Sequence, residues 1–124
     1  MKRILLIDDE PDFTALLKDS LQGAGDEYSI TMVNASCHAA MKAREFEPHL
    51  IFLDVVMPGQ DGGDLASEFA ADPELSKTPI VMLTALVEEN PDSPTGETVR
   101  GGLTFVSKTS SLEKLKACIE KHAL

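Results

Sequence analysis

The chain has 124 residues, a hydrophobic fraction of 43% and a formal net charge of −10 at pH 7. This length predicts one domain, residues 1–124, around a single core, and no apolar run approaches the roughly 20 residues with which a helix crosses a bilayer. The 11 basic residues are scattered, so we expect no membrane partner and no direct binding to nucleic acid, which requires clustered Lys and Arg.

The chain opens with MKRILLIDDEPD, in which acidic residues follow the apolar patch too soon for a signal peptide. The two cysteines, Cys37 and Cys118, are too few for a disulfide scaffold or a cysteine metal cluster. Together these features predict a cytoplasmic protein.

The first half of the chain predicts strands and helices in alternation. Apolar residues recur at helical spacing after Pro11, a residue favoured in a first helical turn, and Pro48 ends the second helix. In chain order the elements are a strand over residues 3–7, a helix from Pro11 that stops at Gly23 to Gly25, a strand over 28–33, a helix over 36–46 and a strand over 50–54.

The second half continues this alternation with one interruption. Its elements are a helix over residues 63–71, strands over 79–83 and 103–106, and a helix over 110–124 that begins with a capping-box pattern, Ser110 and Glu113. Between the last two strands the sequence contains Pro91 and Pro94, and an interior proline costs about 3 kcal/mol in a helix. We therefore expect a short or irregular fourth helix.

Apolar strands separated by helices are typical of an α/β fold. We predict a doubly wound, five-stranded parallel sheet with helices on both faces. Right-handed crossovers place the carboxyl ends of the strands along one edge of such a sheet, and ligands bind there, where the strand order reverses.

Polar residues stand at these strand ends: Asp8 and Asp9 after the first strand, Asp54 at the end of the third, Thr84 after the fourth and Lys108 after the fifth. Close carboxylates repel, so the cluster needs raised pKa values or a multivalent cation, and oxygen ligands favour Mg²⁺ or its relative Mn²⁺. With a cation present, we expect Asp54 to act as a nucleophile that accepts a phosphoryl group. Lys108 and Thr84 are then candidates to contact the phosphoryl oxygens.

Each of these residues alone also has an ordinary interpretation. The acids can be favourable at a helix amino terminus, the threonine can be a helix cap, and the lysine can be a solvated loop residue. Their order along the chain, however, resembles the receiver domain of two-component response regulators, a flavodoxin-like three-layer sandwich. The matching motifs are Asp8-Asp9, Asp54 followed by Met57-Pro58 and Gly62, Thr84-Ala85, and Lys108.

The resemblance implies a role for each residue of the site. Asp54 is the phosphoacceptor, and the residues that hold Mg²⁺ are Asp8, Asp9 as the direct ligand, Asp54 and the backbone carbonyl of Val56. Thr84 and Phe105 form a switch pair. The implied donor is a phosphohistidine on a sensor histidine kinase or a histidine phosphotransfer protein. A downstream protein partner and phosphorylation-dependent dimerisation are also implied.

The sequence departs from the family pattern in two places near the site. Thr109 follows Lys108, where the family usually has a proline in a cis peptide bond. A cis bond before another residue costs roughly 2.5 to 4 kcal/mol, so we expect a trans bond and a changed position for Lys108. Val56 and Leu86, two residues beyond Asp54 and Thr84, cannot orient a water molecule, so we expect slow hydrolysis of the phosphoryl group.

Several alternatives remain open at this point. A non-phosphorylated pseudo-receiver, which acts as a protein-interaction module, fits Thr109 and the interrupted fourth helix. An aspartate-dependent phosphohydrolase is disfavoured because Val56 stands where its second aspartate would be, so we expect no enzyme beyond Mg-dependent self-phosphorylation and slow autodephosphorylation. A flavin-binding module is disfavoured because IDDEPD would repel phosphate. The chain fits a stand-alone, CheY-like receiver or part of a longer regulator.

Overall fold

The computed structural model describes residues 2–23, 28–56, 61–85 and 92–123. Its strands are β1 (Lys2–Ile7), β2 (Tyr28–Val33), β3 (Leu50–Asp54), β4 (Ile80–Thr84), β5 (Thr98–Arg100) and β6 (Leu103–Ser107). Its helices are α1 (Pro11–Gln22), α2 (Ala39–Phe46) with a 3₁₀ turn before it (Ser36–His38), α3 (Gly62–Ala71) and α4 (Leu112–His122). Within these described ranges, no helix is long and apolar enough to cross a membrane.

The strands form one sheet in the order β2-β1-β3-β4-β6-β5. All neighbouring pairs are parallel except β5 and β6, which are antiparallel. The predicted doubly wound α/β fold is therefore confirmed, with one strand more than expected. The strand order reverses between β1 and β3, which places a crevice at the carboxyl ends of these two strands.

Alternate residues of the central strands serve two separate cores, which explains why β1 and β3 are apolar along their length. One core joins the sheet to α1 and α4 through Ile4, Leu6, Phe52, Leu17 and Ile119. The other joins it to α2 and α3 through Leu5, Ile7, Leu53, Ala43 and Phe69. Helices thus cover both faces of the sheet, as in the predicted three-layer sandwich.

The segment before β6 is a strand and turns where a short or irregular helix was expected. Residues 86–91, which include Leu86 and Pro91, lie outside the described residues, and the described residues 92–102 contain no helix. Thr98–Arg100 pairs with Leu103–Ser107 across Gly101 and Gly102, whose φ angles are +56° and +79°. Two glycines with positive φ are typical of a tight hairpin turn, a signal that the sequence interpretation overlooked.

The predicted cap of the last helix was wrong by one residue. Ser111, not Ser110, is the cap, and its hydroxyl accepts a hydrogen bond from the backbone N–H of Lys114 at 3.3 Å. Ser110 instead belongs to the preceding turn, because its N–H donates to the carbonyl of Ser107 at 3.1 Å. The turn that follows β6 therefore sets the first residue of α4.

Candidate functional site

The carboxyl ends of β1, β3, β4 and β6 meet around a depression of about 350 Å³. Its lining residues are Asp9, Glu10, Asp54, Val56, Thr84, Ala85 and Lys108. A cavity of about 450 Å³ lies at the opposite end of β1, beside Arg3, Arg44 and His49. That cavity is lined by Glu47 and Glu74 but by none of the acids at the strand ends, so we place the candidate site in the smaller depression.

Asp54 is the last residue of β3, and its side chain is buried against other acids. Burial raises its pKa, as does the negative charge of Asp8, while Lys108 and the backbone N–H of Val56 oppose the rise. The resulting pKa is about 6. The carboxylate is therefore mostly ionised at pH 7 and held in an unfavourable environment, which favours a group that removes or neutralises its charge.

Four carboxylates form a cluster around Asp54. Asp8, Asp9, Glu10 and Asp54 each offer an oxygen, and these oxygens lie within 4.8 Å of one another. Asp8 is buried, and its Oδ2 lies 2.6 Å from the Lys108 ammonium. One ammonium does not balance four close carboxylates, and their oxygens are the ligands preferred by a hard divalent cation such as Mg²⁺ or Mn²⁺.

Backbone contacts hold the Asp8 carboxylate at the end of β1. Its Oδ1 accepts a hydrogen bond from the N–H of Glu10 at 3.0 Å. The side-chain amide of Asn34 donates to the carbonyl of Asp8 at 2.9 Å and to the hydroxyl of Thr14 at 3.2 Å. These contacts join the loop after β1 to β2 and to the first turn of α1.

Lys108 reaches the cluster across a trans peptide bond to Thr109. Its Nζ lies 2.6 Å from Asp8 Oδ2, 2.7 Å from Glu10 Oε1 and 3.6 Å from Asp54 Oδ2. Burial lowers the pKa of Lys108, but the contacts with Asp8 and Glu10 outweigh burial and raise the pKa to about 12. The ammonium is therefore charged, and it is paired more closely with the other two acids than with Asp54.

A hydrogen-bonded turn after β6 directs the Lys108 side chain into the depression, although Thr109 and not a proline follows the lysine. The backbone N–H of Lys108 donates to the carbonyl of Thr84 at 2.8 Å. The hydroxyls of Ser107 and Thr109 lie 2.7 Å apart, and the N–H of Thr109 donates to Ser107 Oγ at 3.1 Å. The expectation of a trans bond is thus met, and the turn still directs the lysine into the site.

The two residues of the predicted switch pair lie on neighbouring strands. Thr84 is buried at the end of β4 and faces Ser107 of β6 in the strand register. Phe105, two residues earlier on β6, is partly buried against the core beside α2 and α3. Phe105 therefore pairs with Met82, two residues before Thr84 on β4.

Some predicted residues lie at the rim of the site or outside the described residues. Val56 is 60% exposed beside the depression. Met57, Pro58 and Leu86 fall outside the described ranges. Gly62 begins α3, and its N–H donates to the carbonyl of Val55 at 2.8 Å.

Sequence reasoning missed two residues that contact Lys108. Glu10 makes one of its ion pairs, and the ring of Phe13 lies 4.7 Å from Nζ, measured to the ring centroid. The position of Glu10 directly after the acidic pair was the available signal. Phe13 gave none beyond its place on the apolar face of α1.

Sequence comparisons match the chain to known proteins. A profile described as "Response regulator receiver domain" matches residues 4–120. The chain is 37% identical over 84 residues to the DNA-binding response regulator MtrA of Mycolicibacterium smegmatis, which covers 68% of this chain and 35% of that protein. It is 39% identical over 87 residues to the transcriptional regulatory protein BaeR of Escherichia coli, with 70% and 34% covered. The chain thus spans about a third of the length of these relatives.

Solved structures share the fold over almost the whole chain. The chemotaxis response regulator CheY4 of Vibrio cholerae matches with a TM-score of 0.76 and 25% identity, and 98% of each chain is covered. The response regulator Rcp1, solved in a Mn²⁺-bound form, matches with a TM-score of 0.66 and 22% identity, covering 98% of this chain and 91% of that one.

Proposed function

The chain belongs to the response regulator receiver domain family, and from this premise we propose that Asp54 is its phosphoacceptor in two-component signalling. Receiver domains are signalling domains that interact with histidine kinases or phosphotransfer proteins. The observation that carries the proposal is the buried Asp54 carboxylate, which belongs to an acidic cluster at the reversal of strand order and lies 3.6 Å from the Lys108 ammonium. The site is thus built to accept one phosphoryl group as a signal.

The proposed step is a transfer from a phosphohistidine of the donor protein. A carboxylate oxygen of Asp54 attacks the phosphorus, the P–N bond to the donor histidine breaks, and the released imidazole nitrogen regains its electron pair and takes up a proton. The product is an acyl phosphate on Asp54. Lys108 and the hydroxyl of Thr84 stabilise the negative charge on the phosphoryl oxygens.

A divalent cation fits this chemistry and the residues present. We propose Mg²⁺, with Mn²⁺ as a substitute, held by Asp8, Asp9, Asp54 and the backbone carbonyl of Val56. When bound, the cation neutralises the acidic cluster and attracts the phosphoryl oxygens. The close approach of the Asp8, Asp9 and Asp54 carboxylate oxygens supports this assignment.

The output of the phosphorylated protein is proposed to involve the switch pair. The hydroxyl of Thr84 moves toward the phosphoryl group, and the ring of Phe105 turns inward behind it. A downstream protein, or a second copy of the domain, then binds the altered surface. The short register distance between these two residues supports coupled movement.

Intact-mass analysis after incubation with acetyl phosphate and Mg²⁺ tests the phosphoacceptor. We expect one added phosphoryl group that is absent from Asp54→Asn and lost on treatment with hydroxylamine. The control is a receiver domain known to be labelled under the same conditions. No adduct on this protein beside a labelled control would refute the proposal.

The alternative is a pseudo-receiver that binds partners without phosphorylation. The hairpin of β5 and β6 favours it, because the described residues before β6 form a strand and turns where the helix that precedes this strand was expected. Its distinguishing result is a protein that keeps the fold and a specific partner but gives no adduct on Asp54. The complete set of Asp8, Asp9, Asp54 and Lys108 makes phosphorylation the better supported function.

A further inference from the structure

Three carboxylates compete for one ammonium group in the site. Lys108 Nζ lies 2.6 Å from Asp8, 2.7 Å from Glu10 and 3.6 Å from Asp54. We propose that Glu10 is a positioning residue, which holds Lys108 away from Asp54 in the resting protein and thereby slows phosphorylation. This inference rests on the proposed function of Asp54.

Lys108 would remain in the site without Glu10. Its side chain is only 8% exposed, and the ring of Phe13 covers the ammonium at 4.7 Å. Its backbone is fixed by the hydrogen bond to Thr84. Loss of the Glu10 contact leaves Nζ between Asp8 at 2.6 Å and Asp54 at 3.6 Å, and in this proposal it then shifts toward Asp54.

The ion pair between Glu10 and Lys108 is weak enough to break when Asp54 is phosphorylated. Its side chain is 61% exposed, and an ion pair with such an exposed partner is worth only about 0 to 1 kcal/mol. A phosphoryl group on Asp54 carries more negative charge than one carboxylate, so it competes successfully for Lys108. Glu10 therefore delays the transfer of the lysine without preventing it.

The side chain of Glu10 can be changed without loss of its structural contacts. Its backbone N–H donates to Asp8 Oδ1, and its backbone carbonyl accepts from the N–H of Thr14 at 3.1 Å. Both contacts persist in Glu10→Gln, which removes the charge and keeps the shape. Asp12→Asn is the matched control, because Asp12 is an exposed acid in the first turn of the same helix.

The kinetic test uses acetyl phosphate at saturating Mg²⁺ and follows the phosphorylated fraction by intact mass. We expect Glu10→Gln to be phosphorylated roughly three- to fivefold faster than the parent, the rate equivalent of a weak ion pair. Asp12→Asn should stay within about twofold. In a Lys108→Met background, Glu10→Gln should have no further effect, because the two side chains act as one pair.

Three results would overturn the inference. Equal acceleration by Asp12→Asn would show that the effect comes from the net charge of the protein. Acceleration by Glu10→Gln that persists in the Lys108→Met background would show that Lys108 does not mediate the effect. A slower Glu10→Gln protein that needs more Mg²⁺ for half-maximal rate would make Glu10 a cation ligand instead.

A crystal structure of unphosphorylated Glu10→Gln gives a readout that does not depend on phosphorylation. We expect Lys108 Nζ to move from 3.6 Å to hydrogen-bond distance of Asp54. An unchanged distance would refute the positioning role even if Asp54 is a phosphoacceptor. Shortening of this distance in a protein that gives no adduct would instead refute the proposed function and leave the restraint on Lys108 established.

Discussion

The ionisation of Asp54 makes the stability of the cation-free protein depend on pH. Its pKa is raised to about 6, so the folded protein binds a proton below this pH while the unfolded chain stays ionised until near pH 4. The contribution of Asp54 to folding stability therefore improves as pH falls from 8 to 5. Ionised Asp54 is a destabilising residue at neutral pH.

We accordingly predict that Asp54→Asn is more stable than the parent at pH 8 in EDTA. The gain should be about 1 to 2 kcal/mol, after allowance for solvent screening at the open site, and it should shrink toward zero near pH 4. Urea unfolding at several pH values measures it. A variant that is no more stable than the parent at pH 8 would contradict the raised pKa of Asp54.

Val56 allows a test of the expected slow hydrolysis of the phosphoryl group. It is 60% exposed at the rim of the depression and has no group that can orient a water molecule. We predict that Val56→Asn shortens the half-life of phosphorylated Asp54 at least about fivefold, a small share of what a positioned polar group can contribute. Val56→Ala is the control for side-chain size. Equal half-lives in Val56→Asn and the parent would contradict the prediction.

At the residue scale, sequence reasoning predicted where the charged groups meet but not how they pair. The strand ends bring Asp8, Asp54, Thr84 and Lys108 to one crevice, and this follows from the fold. The contact between Lys108 and Glu10 joins residues 98 positions apart. The position of Glu10 directly after Asp9 places it near the site, but its pairing with Lys108 depends on the path of two side chains.

Among the elements, the start of α3 is fixed by close approach of two backbones. A Cβ on Gly62 would overlap the carbonyl oxygen of Asp54 and lie 2.9 Å from Met82 Cε. We predict that Gly62→Ala loses about 1 to 3 kcal/mol of stability by overpacking. Urea unfolding measures the loss.

The control for this prediction is the next residue. A Cβ on Gly63 would meet only Asp61 Oδ1, at 3.3 Å, and this oxygen caps α3 by accepting from the N–H of Asp64 at 2.8 Å. Gly63→Ala should therefore lose less stability than Gly62→Ala, because it meets no backbone atom and alanine favours a helix by up to about 1 kcal/mol. Similar losses in both variants would show that the close contact to Asp54 is unimportant.

Glu97 connects the hairpin to the end of α4. Its carboxylate accepts hydrogen bonds from Lys121 Nζ at 2.6 Å and Thr95 Oγ1 at 2.7 Å, and it lies 3.1 Å from His122 Nε2. Burial raises its pKa, but these partners outweigh burial and lower the pKa. The stabilisation is therefore present above the ordinary pKa of a glutamate and is lost as pH falls through the lowered value.

We predict that Glu97→Gln costs about 1 to 2 kcal/mol at pH 7 and speeds hydrogen exchange of the amides in β5. Glu113→Gln, an exposed position in the first turn of α4, is the control. The difference between the two variants should narrow as pH falls through the lowered pKa of Glu97. Unchanged exchange in β5 would show that the hairpin does not depend on this contact.

The elements differed in how well the sequence predicted them. The apolar runs of β1 and β3 are typical of strands that are covered on both faces, so the sequence predicted their central place in the sheet. β5 has three residues, and its strand character comes from pairing with β6 rather than from burial. The Gly101-Gly102 pair is the sequence feature that predicts this hairpin, whereas Pro91 and Pro94 predict only that a helix is interrupted.

At the scale of the whole molecule, the excess of acidic residues makes the stability of the fold depend on bound cations. The chain has 21 acidic and 11 basic residues, and four of the acids meet in the site. A cation that binds the folded state alone stabilises it by about 2.7 kcal/mol at 100 times its dissociation constant. We predict a rise in melting temperature with MgCl₂ that exceeds the rise in NaCl of equal ionic strength.

The specificity of this effect follows from the site. Asp9→Asn should remove most of the excess rise, because Asp9 is the proposed direct ligand. Asp12→Asn should retain it, because Asp12 lies outside the acidic cluster. Equal stabilisation by MgCl₂ and NaCl in the parent would indicate general screening of the net charge rather than a cation site.

The hairpin turn also makes the molecule accessible to engineering. Cβ atoms at Gly101 and Gly102 would meet nothing within 4 Å, so the turn opens to solvent. Exposed loop tips of this kind tolerate inserted domains. A circularly permuted fluorescent protein inserted in this turn would be joined to Leu103, the first residue of β6. Phe105 lies two residues further along the same strand. Under the proposed switch, the chain thereby offers a site for a genetically encoded sensor whose brightness follows phosphorylation of Asp54.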